Sequence, residues 1–100
     1  MSGWFEESSF AEDLGKVLTQ WRLILGLSQR LVAERAGISV QVLRRLEHGE
    51  GNPQLGACLA VMDVLGLRRH TLQALDPLNT DLGRARAGLL DRQRAPKART

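Results

Sequence analysis

The sequence predicts an all-α fold, one compact bundle of five short helices with an extension at each end. Three observations predict it. Leucine is the dominant apolar residue and β-branched residues are few, which favours helix over strand. Apolar residues recur at spacings of three and four in successive segments. Gly26, Gly37, Gly49, Gly66 and Pro77 punctuate the chain between those segments. One hundred residues make one small domain. Such a chain buries only ~60–65% of its unfolded surface, so help from a partner subunit is natural.

The first helix is expected over about Ala11 to Leu25, with Leu14, Val17, Leu18, Trp21 and Leu25 on one apolar face and Gly26 as a left-handed cap. Ser28 begins the second as N-cap of SQRLVAERA, which buries Leu31 or Val32 and Ala36. Ala33 is small enough for another helix to cross closely there. Gly37 stops this helix, Ile38 follows, and Ser39 caps a third over Val40 to His48, which Gly49 ends. Two short helices joined by a tight glycine turn form the helix-turn-helix unit. A fourth helix is expected over Pro53 to Leu65, with Leu55, Cys58, Leu59, Met62 and Leu65 inward. Gly56 is an oddity there, costing ~1 kcal/mol in a helix interior and less in a first turn. A fifth covers Arg68 to Leu75, with Leu72 and Leu75 inward, and Asp76-Pro77 breaks it. Beyond it Leu78, Leu82, Ala85 and Leu89 keep helical spacing, weakened by Gly83 and Gly88.

Charge divides the chain as the pattern does. Residues 1–20 carry four acids and one lysine, a net −3. Residues 21–76 carry seven arginines and five acids, a net +2. Residues 77–100 carry six basic residues and two acids, a net +4. The expected organisation is an acidic arm over 1–10, a domain over 11–76 and a basic extension over 77–100, whose RQRAPKART tail has the composition of a disordered segment. The total of +3 argues only weakly for a nucleic-acid partner.

Several classes are excluded. The one cysteine, Cys58, allows no disulfide within the chain and fits a reducing compartment. The N-terminus is acidic and lacks a signal-peptide pattern, and the apolar runs are far too short for a membrane span. A cytoplasmic protein with no membrane partner is expected. His48, His70 and Cys58 fit no zinc spacing, no glycine-rich phosphate loop follows a strand, and no nucleophile has a base and an orienter. No metal, no cofactor and no enzymatic activity are expected.

The third helix carries the chemistry. Leu43 and Leu46 point into the core, while Val40, Gln41, Arg44, Arg45 and His48 fall on the opposite side. That face carries two cations, an amide and a small apolar side chain. The major groove of B-DNA admits an α-helix, and its base edges are read by Arg, by Gln and by apolar contact to the thymine methyl. For the arginines alone a solvated face is the simpler reading. The helix-turn-helix arrangement reverses that preference.

Residues 14–75, about six-tenths of the chain, resemble the Cro/repressor-type helix-turn-helix family, also called xenobiotic-response-element-like. The resemblance is carried by Leu14, Leu18 and Arg22, by GLSQ at Gly26 to Gln29, by Ala33, and by AGIS at Ala36 to Ser39. LRRLEHG at Leu43 to Gly49, Asn52-Pro53, Leu55, Leu59 and Leu65-Gly66 complete it. It implies a compact five-helix repressor-type bundle that binds double-stranded DNA, usually a palindromic operator, as a homodimer. It implies that Gln29 meets a phosphate, that Arg30 and the Ser39 cap lie beside the DNA, and that Val40, Gln41, Arg44 and Arg45 reach base edges. His48 and Asn52 lie near the other phosphate, and Arg44, nearer the groove edge than Arg45, has a phosphate as its alternative target to a base. Many members have a polar residue where this chain has Val40, so a thymine methyl is the expected target there. The resemblance also implies a partly buried ion pair between Arg22 and Glu47. Two functions follow: a transcriptional regulator, repressor or autoregulator, and alternatively an antitoxin of the HipB type that binds a toxin kinase. In the second case the arm with Trp4, Phe5 and Phe10, or the C-terminal extension, is a candidate docking element; the simpler reading of those aromatics is a strand of chain folded back on the domain's own core.

Overall fold

The computed structural model describes residues 9–92, and among them all regular structure is helical. The expectations for Trp4, Phe5 and the rest of the acidic arm up to residue 8, and for the basic tail from 93 on, lie outside the described residues. The helices are α1 (Phe10–Ile24), α2 (Gln29–Ala36), α3 (Val40–His48), α4 (Leu55–Val64), α5 (Arg68–Leu75) and α6 (Asp81–Ala85), with a 3-10 turn at Pro77–Asn79 between the last two. Residues 88–92 are also helical. The chain divides into two compact units, one ending at Arg68 and one starting at Arg69.

Helix α1 begins earlier than its apolar spacing indicates. Ser9 Oγ accepts the Glu12 N–H at 3.1 Å, and Glu12 Oε1 accepts the Ser9 N–H at 3.0 Å. This reciprocal capping box satisfies two of the donors a helix start leaves open. It also holds the Glu12 carboxyl below its ordinary range, chiefly through the Ser9 backbone N–H. At the other end Gly26 N–H donates to Leu23 O and Leu27 N–H to Arg22 O, both at 3.0 Å. The same glycine closure ends α2, α3 and α4.

The core of the first unit consists of Leu18 from α1, Val32 and Ala33 from α2, Leu43 and Leu46 from α3, Val61 from α4, and Leu65 and Leu67 beyond it. Expected core assignments fail on three helices. Trp21 and Leu25 on α1 are 37% and 46% exposed. Leu55 and Leu59 on α4 are 72% and 52% exposed, and Val61 is the buried residue instead. The sequence LGACLAVMDV is apolar nearly all round, so its spacing does not select a stripe. That helix also begins at Leu55 rather than Pro53, with Gln54 as an uncapping N-cap, which puts Gly56 in its first turn with open space around it. Leu72 and Leu75 on α5 are 62% and 74% exposed.

Helices α1 and α3 pack so closely that a side chain is excluded at the crossing. Gly15 is buried, and a Cβ there would lie 2.6 Å from Leu46 O and closer still to Glu47 O. At Gly49, in the left-handed region at φ 66°, a Cβ would likewise lie 2.6 Å from the α1 backbone at Glu12. An alanine at position 15 gains ~1 kcal/mol of helix propensity. It must nevertheless push two backbones apart, and overpacking of this kind costs ~1–3 kcal/mol. The clash is with backbone atoms, which puts it at the upper end of that range, so Gly15→Ala is expected to lower stability by ~2 kcal/mol net, and chemical denaturation measures it. A variant as stable as the parent would show that the two helices can separate freely.

No residue of α5, the 3-10 turn or α6 is buried. Polar caps shape this second unit. Asp76 Oδ1 accepts the Leu78 N–H at 2.9 Å, and Thr80 Oγ1 accepts the Gly83 N–H at 2.9 Å. Leu72, Leu75, Leu78, Leu82, Leu89 and Leu90 are all exposed. Among the described residues no helix is long and apolar enough to cross a membrane.

Candidate nucleic-acid interface

The site is built on α3. Ser39 Oγ accepts the Val42 N–H at 3.1 Å and fixes where the helix begins. Gly49 fixes where it ends, with Glu50 N–H donating to Arg45 O at 2.8 Å. The turn before it depends on Gly37 at φ 72°, a conformation that any side chain would strain. Inside this frame Leu43 is fully buried, and Leu46 and Glu47 are 6% and 8% exposed. Gln41, Arg44, Arg45 and His48 are exposed together on the other side. The inward residues make α3 rigid, and the outward ones form its polar face.

Val40 departs from the expected outward set. It is half-buried and packs against the core. It is the first residue of α3, and a helical Cβ leans toward the N-terminus, here over the Gly37–Ser39 turn. Only part of its side chain remains for an outside contact.

The two arginines diverge. Arg44 Nε donates to Gln29 Oε1 at 3.4 Å, toward the start of α2. Arg45 instead lines a notch of about 400 Å³ with Ile38, Ser39, Val42, Asn52 and Gln54. Gly51, at φ 72°, lies beside the Arg45 stem. The structure therefore gathers Gln29 with Arg44, and Ser39, Arg45 and Asn52 around the notch. Arg30 and His48 are exposed apart from these pairs.

Beneath this face lies an ion pair. Arg22 Nε donates to Glu47 Oε2 at 2.6 Å and Arg22 Nη2 to Glu47 Oε1 at 3.2 Å, with side-chain exposures of 11% and 5%. Arg22 Nη1 also donates to Leu27 O at 3.1 Å. A third donor to this carboxylate, unmarked in the sequence, is Gln29 Nε2, at 2.9 Å from Glu47 Oε1. The partners are 18 residues apart, a separation that no helical periodicity marks.

Cys58 is half-buried, and burial pushes its thiol up, away from the thiolate that reacts. Among the described residues no group of three or more His, Cys, Asp or Glu residues could hold a metal ion.

The model of a family described as helix-turn-helix matches residues 18–72, more than half of the chain. No curated protein and no solved structure matches it. The match covers all of α2, α3 and α4, the glycine turn that joins the first two, and the exposed polar face that the buried leucines support. The chain belongs to the Cro/repressor-type helix-turn-helix family of DNA-binding transcription regulators.

Proposed function

We propose that the protein reads one palindromic operator through the major groove as a homodimer and thereby represses transcription, its own included. The observation that carries this reading is the α3 face. Gln41, Arg44, Arg45 and His48 stand exposed on a helix whose other side is locked by Leu43, Leu46 and Glu47. Arginine and glutamine are the side chains that pair bidentately with guanine and adenine edges. A rigid base keeps their geometry fixed, so a wrong base cannot be accommodated by tilting the helix.

One nine-residue helix spans few base pairs, so useful specificity calls for two copies. The leucines of the second unit support a two-fold interface. Six of them, from Leu72 to Leu90, are exposed within nineteen residues of chain, and water is a poor environment for such a concentration. In the proposed dimer the two α3 helices lie ~34 Å apart, one turn of DNA.

Selection of bound duplexes from a random pool tests the reading. The expected result is an inverted repeat whose half-sites are centred about one helical turn apart. A bound pool with no common sequence would overturn sequence reading by α3. Sedimentation tests the assembly: a dimer is expected at tens of micromolar, and a monomer that stays single on the selected duplex would overturn it.

A further inference from the structure

We propose that Gln29 is a positioning residue and that Arg44, aimed by it, holds the phosphate at the start of α2. This inference rests on the DNA reading above. The argument begins at Glu47, whose side chain is 5% exposed and whose carboxylate accepts from Arg22 through both oxygens. Glu47 Oε1 also accepts from Gln29 Nε2 at 2.9 Å. A carboxylate accepts and does not donate, and the two ends of an amide differ in the opposite senses. The buried charge therefore fixes the orientation of the Gln29 amide, with the nitrogen inward and Oε1 outward. That oxygen accepts the Arg44 Nε–H at 3.4 Å.

Two consequences follow. The outward atom of Gln29 is a carbonyl oxygen, which repels a phosphate oxygen rather than binding it. Arg44, by contrast, uses its Nε–H on the amide and keeps its planar Nη fork, the group that best matches a phosphate. The amide that meets the Arg44 Nε belongs to the first residue of α2, the end of the helix whose dipole favours an anion. Neighbouring arginines thus take different work. Arg44, on the side of the α3 face next to Gln29, is directed to the backbone, and Arg45, beside Asn52 and Gly51, is left for the base edge.

The test compares wild type, Gln29→Ala, Arg44→Ala and the double variant on the selected duplex and on a scrambled one, across several salt concentrations. Arg44→Ala is expected to weaken both duplexes alike and to reduce the salt slope by ~0.9 per half-site, the signature of one lost phosphate contact. Gln29→Ala is expected to show a smaller loss of the same kind. The double variant should match Arg44→Ala within about twofold, because the glutamine acts only through the arginine. A double variant whose loss is the product of the two single losses would overturn the proposal, since Gln29 would then hold a phosphate itself. So would an Arg44→Ala variant that loses preference at one base pair with its salt slope unchanged. In the free protein, nitrogen-resolved NMR should show the Arg44 Nε–H slowed in exchange with water in wild type and not in Gln29→Ala; equal exchange in both overturns the relay. Should wild type hold both duplexes equally, sequence reading by α3 falls, and the slopes and the exchange data still decide the role of Arg44.

Discussion

Glu47→Ala is expected to destabilise the protein by ~3–5 kcal/mol, the usual cost of removing one partner from a buried ion pair. Folded domains of this size hold only ~5–15 kcal/mol in all, so the variant should melt far below wild type. The reason is what remains behind. Arg22, 11% exposed, would keep its charge without the carboxylate that accepts from its Nε and Nη2. Gln29 Nε2 would lose its acceptor as well. Replacing both charges, as in Arg22→Met with Glu47→Leu, removes the stranded cation. What is left is the Leu27 carbonyl without its Arg22 donor and a Gln29 amide free to turn to water, each worth ~1 kcal/mol. The double variant should therefore be more stable than Glu47→Ala alone. Thermal or chemical denaturation of the four proteins in the cycle measures this. A Glu47→Ala melt that coincides with wild type would show that the pair contributes nothing.

Helix α3 was legible in the sequence because its signals agree. A serine cap, a glycine on either side and only Leu43 and Leu46 as strongly apolar inward positions leave one way to place it. The outward exposure of Gln41, Arg44, Arg45 and His48 follows from that placement. Helix α4 was legible as a helix but not as a face, because nearly every position is apolar and burial there depends on what packs against it. Spacing points Leu55 and Leu59 inward, whereas Val61 takes the core position. Gly15 shows a different limit. In sequence a mid-helix glycine reads as a cost of ~1 kcal/mol. Only the crossing of α1 over the carbonyls of Leu46 and Glu47 shows why no side chain fits. The capping box at Ser9 and Glu12 is a local signal, serine followed three residues later by glutamate, and it could have placed the start of α1. The Gln29–Glu47 contact has no such local mark, since it joins the first turn of one helix to the last turn of another.

Arg45→Ala is expected to cost the operator far more than it costs other DNA. A bidentate arginine–guanine contact discriminates by ~1–3 kcal/mol, and a palindrome presents it twice, so operator affinity should fall by ~2–6 kcal/mol. Scrambled duplex offers no matching guanine and loses only the attraction of one exposed charge per subunit. Position supports this assignment for Arg45. It stands on the exposed face of α3 one turn beyond Gln41, with its stem beside Gly51 and the notch that Asn52 also lines. Arg45→Lys separates charge from geometry. Lysine keeps the cation but lacks the planar fork, so it should hold scrambled DNA as wild type does while still losing much of the preference for the operator. Arg30→Ala, at an exposed position of α2, should do the reverse: weaken both duplexes alike and lower the salt slope by ~0.9 per half-site. The decisive measurement is the ratio of operator to scrambled affinity at fixed salt. If Arg45→Ala leaves that ratio unchanged, Arg45 holds the backbone, and α3 must take its specificity from Gln41 and the exposed part of Val40.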